Sequence, residues 1–284
     1  MLEFEILARG LYRHDQLNIT YDPSLRMPTS PAIQAWMDTL WLQKLDTAQK
    51  KAIPLFDSQL FRLVSTEARE DGTLHLVLGN TSYKEYVTTR DPEFARGRAR
   101  QELGNALSVC SVVETNDGYI LLDKRQGVDV YEGRYHVIGG FFERDLDMAT
   151  TQPDPFAAIC REIREETGIQ FKDISEQVCL GVVYDLTTPH AEMCFLTRLN
   201  ISLEEVYRRV PEEKEIQQLL SLYITKGSLL HFVLANHGNI SATGEPNLLM
   251  YGAVRFREEW FEEVMERLSS FILKEEQKLY PFTQ

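Results

Sequence analysis

The segment Arg161–Ile169, REIREETGI, places three glutamates at the end of one predicted helix. Asp154 and Pro155 have the chemistry of an N-cap and first helical residue, and Gly168 is a typical C-terminal stop. The spacing therefore predicts a helix over residues 155–167, and its apolar stripe consists of Phe156, Ile159, Cys160 and Ile163. A helix that is apolar on one side only must pack against another layer of structure.

The glutamates Glu162, Glu165 and Glu166 lie away from that stripe, near the negative end of the helix dipole. Like charges placed there destabilise a helix by tenths of a kcal/mol to about 1 kcal/mol each. Arg161 is positioned to pair with Glu165 and relieves only part of this repulsion. Carboxylates clustered in this way suit a hard divalent cation, which takes oxygen ligands. The alternative interpretation is a solvated, glutamate-rich face.

These residues resemble one half of the Nudix box, REUxEExGU, in which U is aliphatic, and every specified position is filled. The resemblance implies an α/β/α Nudix sandwich and metal-dependent hydrolysis of a nucleoside diphosphate linked to another group. It implies that Glu162 and Glu166 bind the metal and that Glu165 is a further ligand or orients water. Arg161 would orient these carboxylates. The implied cofactor is Mg²⁺, with Mn²⁺ as a substitute.

The glycine half of the box departs from the family pattern. The family places a Glu six residues after its glycine and the Arg fourteen after it; counted from Gly140, these positions hold Leu146 and Asp154. The interval to Arg161 is therefore seven residues too long, which indicates an insertion within the loop 144–153. Long loop insertions cost little closure entropy, so the helix is expected to stay intact.

By the same resemblance, the Gly140 region would bring backbone oxygen to the metal, and Gly139 would lie beside the substrate. Glu143 matches a glutamate often found in that loop. Glu192, on a predicted strand, is a candidate further carboxylate, and an edge or solvent-facing role explains it equally. Arg125 either contacts a phosphate or is an ordinary surface residue. His136 and His190 are predicted to have structural roles.

Strands and helices alternate after residue 105, which predicts a mixed sheet covered by helices, and a long C-terminal helix spans about 257–274. Residues 1–104 are predicted to form a small α+β domain with a helix over 31–50 and a hairpin around the Glu-Asp-Gly turn at 70–72, and residues 105–284 the Nudix domain. Between them lies a polar connector, 90–105, that contains Arg96, Arg98 and Arg100. These arginines either approach a phosphate or, as we expect of a charge run, serve solubility.

Residues 55–90 loosely resemble the N-terminal part of the animal UDP-glucose/UDP-galactose diphosphatases, a divergent Nudix group. That resemblance implies that Thr81, Ser82 and Tyr83 approach the ligand. A turn anchored by a tyrosine explains the same residues. The leading hypothesis is thus a UDP-sugar pyrophosphatase that yields UMP and a sugar 1-phosphate. The alternatives are hydrolysis of ADP-ribose, a dinucleotide or a coenzyme-A-type diphosphate, and a non-catalytic sensor of nucleotide sugars.

Composition narrows the partners of this 284-residue chain, whose net charge is −13. Such a charge argues against binding to nucleic acid, which requires clustered Lys and Arg. No signal peptide or membrane span is apparent, and the four cysteines show no metal-ligand spacing. We therefore expect a cytoplasmic protein with free thiols, no membrane partner and a small nucleoside diphosphate as substrate. Both a monomer and a homodimer are compatible with the sequence.

Overall fold

The computed structural model describes residues 2–51, 53–126, 130–150, 152–212, 216 and 218–279, with the side chains of 271–279 left undescribed. The strands are β1 (Phe4–Tyr12), β2 (Leu17–Tyr21), β3 (Gln59–Ala68), β4 (Leu74–Ser82), β5 (Leu107–Glu114), β6 (Tyr119–Lys124), β7 (Tyr135–His136), β8 (Ile138–Phe141), β9 (Met148–Ala149), β10 (Gln152–Pro153), β11 (Ile174–Asp185), β12 (His190–Leu199) and β13 (Leu219–Tyr223). The helices are α1 (Pro31–Lys50), α2 (Tyr83–Thr89), α3 (Pro92–Ala95), α4 (Pro155–Thr167), α5 (Leu203–Val206), α6 (Lys226–Ala235), α7 (Gly244–Phe256) and α8 (Glu258–Leu279).

A mixed eight-stranded sheet forms the centre of the molecule, with strands in the order β1-β11-β12-β5-β6-β13. Strand β7 pairs with β6, and β8 pairs with β5. The β12–β5 pair is parallel, whereas the neighbouring β11–β12 pair is antiparallel. Helix α4 and the small sheet β2-β4-β3 cover one face of the large sheet, and helices α6, α7 and α8 cover the other. The predicted mixed α/β sandwich is confirmed.

The predicted boundary at 104/105 does not separate two hydrophobic cores. Strand β1 lies at the edge of the large sheet, where it pairs with β11. Phe61 and Leu76 of the small sheet also share one buried cluster with Val109 of the large sheet. The small sheet and α4 together cover this face of the large sheet, and burial of their apolar side chains joins the two parts of the chain in one core.

Helix α1 has its predicted bounds, and α8 begins where predicted but extends to Leu279, beyond its predicted end near residue 274. Ser30 caps α1 by accepting a hydrogen bond from the Ile33 amide at 3.3 Å. Trp260, Val264 and Leu268 of α8 are buried, as the predicted apolar face requires. The predicted contributions of Phe271 and Ile272 fall on side chains outside the described residues.

Candidate active site

Helix α4 has the limits that its sequence predicts. The Asp154 side chain accepts hydrogen bonds from the amides of Phe156 and Ala157, each at 3.0 Å. Gly168 ends the helix in the left-handed conformation, with φ of 76°. Ile159 and Ile163 are fully buried against the large sheet. Packing of this apolar side fixes the rotation of the helix and turns its glutamates towards β8.

The glycines of β8 lie directly against these glutamates. A Cβ atom added to Gly140 would lie 2.5 Å from the carboxylate of Glu162, a distance that no side chain could occupy. The Gly139 amide donates a hydrogen bond to Oε2 of Glu166 at 3.3 Å. The structure therefore brings Gly139 and Gly140 into contact with Glu162 and Glu166, although more than twenty residues of chain separate them.

Arg161 contacts three carboxylates of the charged cluster. Its Nε and Nη2 donate to the two carboxylate oxygens of Asp147, at 2.9 and 2.8 Å, in a bidentate pair. Its Nη1 lies 2.9 Å from Oε1 of Glu162 and 3.0 Å from Oε2 of Glu165. Nη2 also donates to the carbonyl of Phe141, next to Gly140. Burial by itself would lower the pKa of Arg161, but Asp147 and the neighbouring glutamates raise it above its ordinary value.

Asp147 is a site residue that the sequence did not identify. Leu146, at the position where the family places a glutamate, is 60% exposed, whereas Asp147 is 3% exposed. Strands β9 and β10 pair with each other after Asp147, and the Asp154 amide donates to the Asp147 carbonyl at 3.0 Å. The insertion is thus a side hairpin that closes on itself. The sequence signal for this residue is that an acidic side chain, Asp147, directly follows Leu146, the position where the pattern has a glutamate.

The donor chemistry of this cluster fits a divalent cation, although no group of three His, Cys, Asp or Glu residues in the described part of the chain already converges on one point. Asp147, Glu162, Glu165 and Glu166 meet here, and the described ion pairs oppose them with Arg161 and the partly exposed Arg164. Glu162 and Glu166 are less than one-tenth exposed. Clustered and largely buried carboxylates favour a bound divalent cation, and oxygen ligands suit Mg²⁺ or Mn²⁺.

Glu143 lies beside this cluster. Its amide donates to Oδ2 of Asp147 at 2.8 Å. Burial raises the pKa of the Glu143 carboxyl, against the lowering effect of Arg161, and Asp147 raises it further. Among the substrate-binding candidates that the sequence proposed, Glu143 and Gly139 therefore contact the charged cluster directly.

The three candidates Thr81, Ser82 and Tyr83 have contacts that fit a structural turn. Thr81 is fully buried. The Ser82 hydroxyl accepts a hydrogen bond from the Glu85 amide and so caps α2. The Tyr83 ring packs edge-on against Phe141, with centroids 5.6 Å apart. Ser82 and Tyr83 thus match the alternative of a turn with an anchoring tyrosine, and the burial of Thr81 excludes it from contact with a ligand in this conformation.

Glu192 and Arg125 belong to a different buried cluster. Along β12, Ala191 and Met193 face the core beneath α4, so Glu192 points to the opposite side of the sheet. Its carboxylate lies 3.8 Å from Nε2 of His136, and burial raises its pKa. Arg125 donates from Nε to the Val130 carbonyl at 3.1 Å. Strand alternation therefore turns Glu192 away from the helix carboxylates, and a role for it in substrate binding stays a prediction.

His136 has the structural role predicted for it, and this role makes stability depend on pH. Its Nδ1 lies 2.6 Å from the Ser241 hydroxyl, and burial lowers its pKa well below the ordinary value, with Arg125 and His190 acting in the same direction. The native imidazole stays neutral while the unfolded chain takes up a proton below about pH 6.5. The free energy of unfolding should therefore fall by up to about 1.4 kcal/mol for each pH unit below about 6.5.

Urea denaturation between pH 5 and 7.5 measures this effect. In the variant His136→Asn, the amide can replace Nδ1 as the partner of Ser241, so the comparison removes only the titrating group. We expect the free energy of unfolding to fall less steeply with decreasing pH in the variant, by up to about 1.4 kcal/mol per pH unit, which corresponds to one proton. Equal slopes would show that His136 does not titrate differently on folding.

Comparisons with known proteins give only distant matches. No protein-family model and no curated protein matches the chain. Among solved structures, the bifunctional NMN adenylyltransferase/ADP ribose pyrophosphatase from Francisella tularensis is 15% identical, with a TM-score of 0.39, and the match covers 61% of this chain and 45% of that one. The MutT protein from Methanosarcina mazei Go1 is 19% identical, with a TM-score of 0.32, over 57% of this chain and 93% of that one. A NUDIX family hydrolase from Clostridium perfringens is 16% identical, with a TM-score of 0.33, and the match covers 57% of this chain and 99% of that one.

The chain thus spans less than half the length of the Francisella protein. These identities and TM-scores are too low to carry an argument about the function of this chain. Within the part of the chain that the structure describes, every helix is too short or too polar to cross a membrane.

Proposed function

We propose that this protein is a metal-dependent Nudix hydrolase that cleaves a nucleoside diphosphate linked to another group. The observation that carries the proposal is the contact between the glycines of β8 and the glutamates of α4. Gly140 leaves room for the Glu162 carboxylate, and Gly139 binds Glu166. Buried carboxylates held against a glycine backbone are costly unless a cation joins them, which explains why the chain keeps both features.

In this proposal, Glu162 and Glu166 hold Mg²⁺ together with the carbonyl oxygen of Gly140, and Mn²⁺ can substitute. A bound divalent cation neutralises charge that develops on phosphoryl oxygens and lowers the pKa of a coordinated water. Glu165 is either a further ligand or the group that orients the attacking water. Arg161 acts as a positioning residue that holds Glu162 and Glu165.

The best candidate substrate is a UDP-sugar, cleaved to UMP and a sugar 1-phosphate, and its support is the resemblance of residues 55–90. ADP-ribose, a dinucleotide or a coenzyme-A-type diphosphate remains the alternative within the same class. A non-catalytic sensor of nucleotide sugars is the alternative of another class. We also propose a cytoplasmic location, where the four free cysteines would stay reduced. The chain acts as a monomer or a homodimer.

Phosphorus NMR of the products tests this function. Purified protein would be incubated with an excess of MgCl₂ and with one substrate at a time. The substrates are UDP-glucose, UDP-galactose, ADP-ribose, a dinucleotide and coenzyme A. We expect UMP and a sugar 1-phosphate from the UDP-sugars, and no product when EDTA replaces Mg²⁺. Turnover of another diphosphate alone would replace the UDP-sugar assignment. Binding of a UDP-sugar without turnover of any substrate would contradict the hydrolase and favour the sensor.

A further inference from the structure

A second candidate site lies where the connector 90–105 meets the end of β11 and the turn after it. A cavity of about 640 Å³ opens here. The connector contributes Arg90, Arg96, Arg98 and Arg100, and the end of β11 with its turn contributes Tyr184 and Leu186. We call this cavity the arginine groove. Its volume is within the range of small-molecule sites.

The charge of the arginine groove is opposite to that of the molecule. The protein as a whole carries a net charge of −13, yet among the residues that the structure describes the groove is lined by four arginines and by no carboxylate. Arg96 is exposed, and its side chain has no hydrogen bond or ion pair with any described residue. Guanidinium groups gathered around one concave surface give it a positive potential, which attracts anions.

Two of these guanidinium groups are held in place by aromatic rings. Arg98 lies over the ring of Phe94, 4.1 Å from its centroid, and Arg100 lies over Tyr184 at 3.8 Å. Stacking occupies the face of a guanidinium group and leaves N–H donors along its edge. The existing ion pairs, Arg98–Glu102 at 3.5 Å and Arg100–Glu5 at 2.5 Å, join half-exposed side chains and are weak competitors.

We propose that the arginine groove is an accessory binding site for the phosphoryl groups of a small phosphorylated molecule. The planar donors of arginine match phosphate oxygens in pairs. Leu186, which is 47% exposed, offers apolar surface to the organic part of such a ligand. The size of the groove and the acidic remainder of the protein favour a small molecule over a nucleic acid.

The groove is separate from the candidate active site but is connected to it through packed side chains. No residue of α4 and neither glycine of β8 lines the groove. Arg90 donates to the Tyr86 hydroxyl at 3.0 Å, and the buried Tyr86 ring packs against Phe141, with centroids 5.5 Å apart. The Phe141 carbonyl in turn accepts a hydrogen bond from Arg161. A chain of contacts through Tyr86 and Phe141 therefore connects the groove to Arg161, and the groove itself uses none of the glutamates of α4.

Binding of pyrophosphate and of ADP to the full chain in EDTA tests this proposal by isothermal titration calorimetry. Without a divalent metal, the glutamates of α4 repel phosphoryl groups, so binding reports on the groove whether or not the protein is a hydrolase. We expect saturable binding that weakens about tenfold in Arg96→Gln and about tenfold in Arg98→Gln. The matched control is Arg208→Gln, since Arg208 is also exposed but lies outside the groove; its binding should equal that of the wild type.

The comparison of the two ligands identifies the source of the phosphoryl groups. Tighter binding of ADP indicates that the groove also contacts a nucleoside, and equal binding indicates that it recognises the phosphoryl groups alone; both results support the proposal. It is overturned if neither ligand binds saturably. It is also overturned if the double variant Arg96→Gln/Arg98→Gln, with an unchanged circular dichroism spectrum, binds as tightly as the wild type.

Discussion

Replacement of Glu166 by Gln is expected to abolish most of the activity and to leave the protein folded. The amide oxygen of Gln can still accept the hydrogen bond that the Gly139 amide donates, so the contact between β8 and α4 remains. The variant loses the negative charge that a divalent cation requires. A metal ion contributes several kcal/mol of transition-state stabilisation, and each 1.4 kcal/mol is a factor of ten in rate, so kcat should fall by about 10³-fold.

Steady-state hydrolysis measured across a range of Mg²⁺ concentrations tests this prediction, together with the thermal midpoint of unfolding. We expect that the midpoint changes by only a few degrees and that excess Mg²⁺ does not restore the rate. Glu204→Gln is the matched control, because it makes the same change of charge at a side chain of α5 that is 77% exposed. If Glu166→Gln kept wild-type activity, the assignment of Glu166 as a metal ligand would be wrong, although a hydrolase with other ligands would still be possible.

Local signals in the sequence predicted the elements whose ends are determined by neighbouring residues. The N-cap Asp154 and the C-terminal Gly168 define α4, and Ser30 defines the start of α1. Strands β3 and β4 were recognisable from their apolar residues and from the Glu-Asp-Gly turn between them. Each of these signals acts through contacts within a few residues, so the sequence alone contains the necessary information.

The features that the sequence did not reveal depend on contacts between distant residues. Strand β1 is stabilised by its pairing with β11, about 170 residues away. Helix α7 is buried throughout residues 244–252, so it lacks the one-sided pattern that marks a surface helix. The direction of Glu192 depends on the register of β12 in the sheet. The position of Asp147 depends on the β9–β10 hairpin. The arginine groove depends on the turn after β11, which lies beside the connector.

Replacement of Arg161 by Met is expected to have the largest effect on stability. Met fills a similar volume, but it removes the cation that contacts Asp147, Glu162 and Glu165. Asp147 is 3% exposed and would stay buried with an uncompensated charge. Loss of one partner from a buried ion pair typically costs about 3–5 kcal/mol. We expect the free energy of unfolding to fall by about 3 kcal/mol at neutral pH, since the Arg161 side chain is itself 13% exposed.

Urea denaturation of the single and double variants separates this charge effect from a loss of packing. Adding Asp147→Asn to Arg161→Met removes the uncompensated charge, so the double variant should recover a substantial part of the lost stability. Arg164→Met is the matched control on the same helix, and it should cost less than about 1 kcal/mol because that side chain is 40% exposed. If Arg161→Met were as stable as this control, or if Asp147→Asn made it less stable still, the ion pair could not be what holds the glutamates of α4 in place.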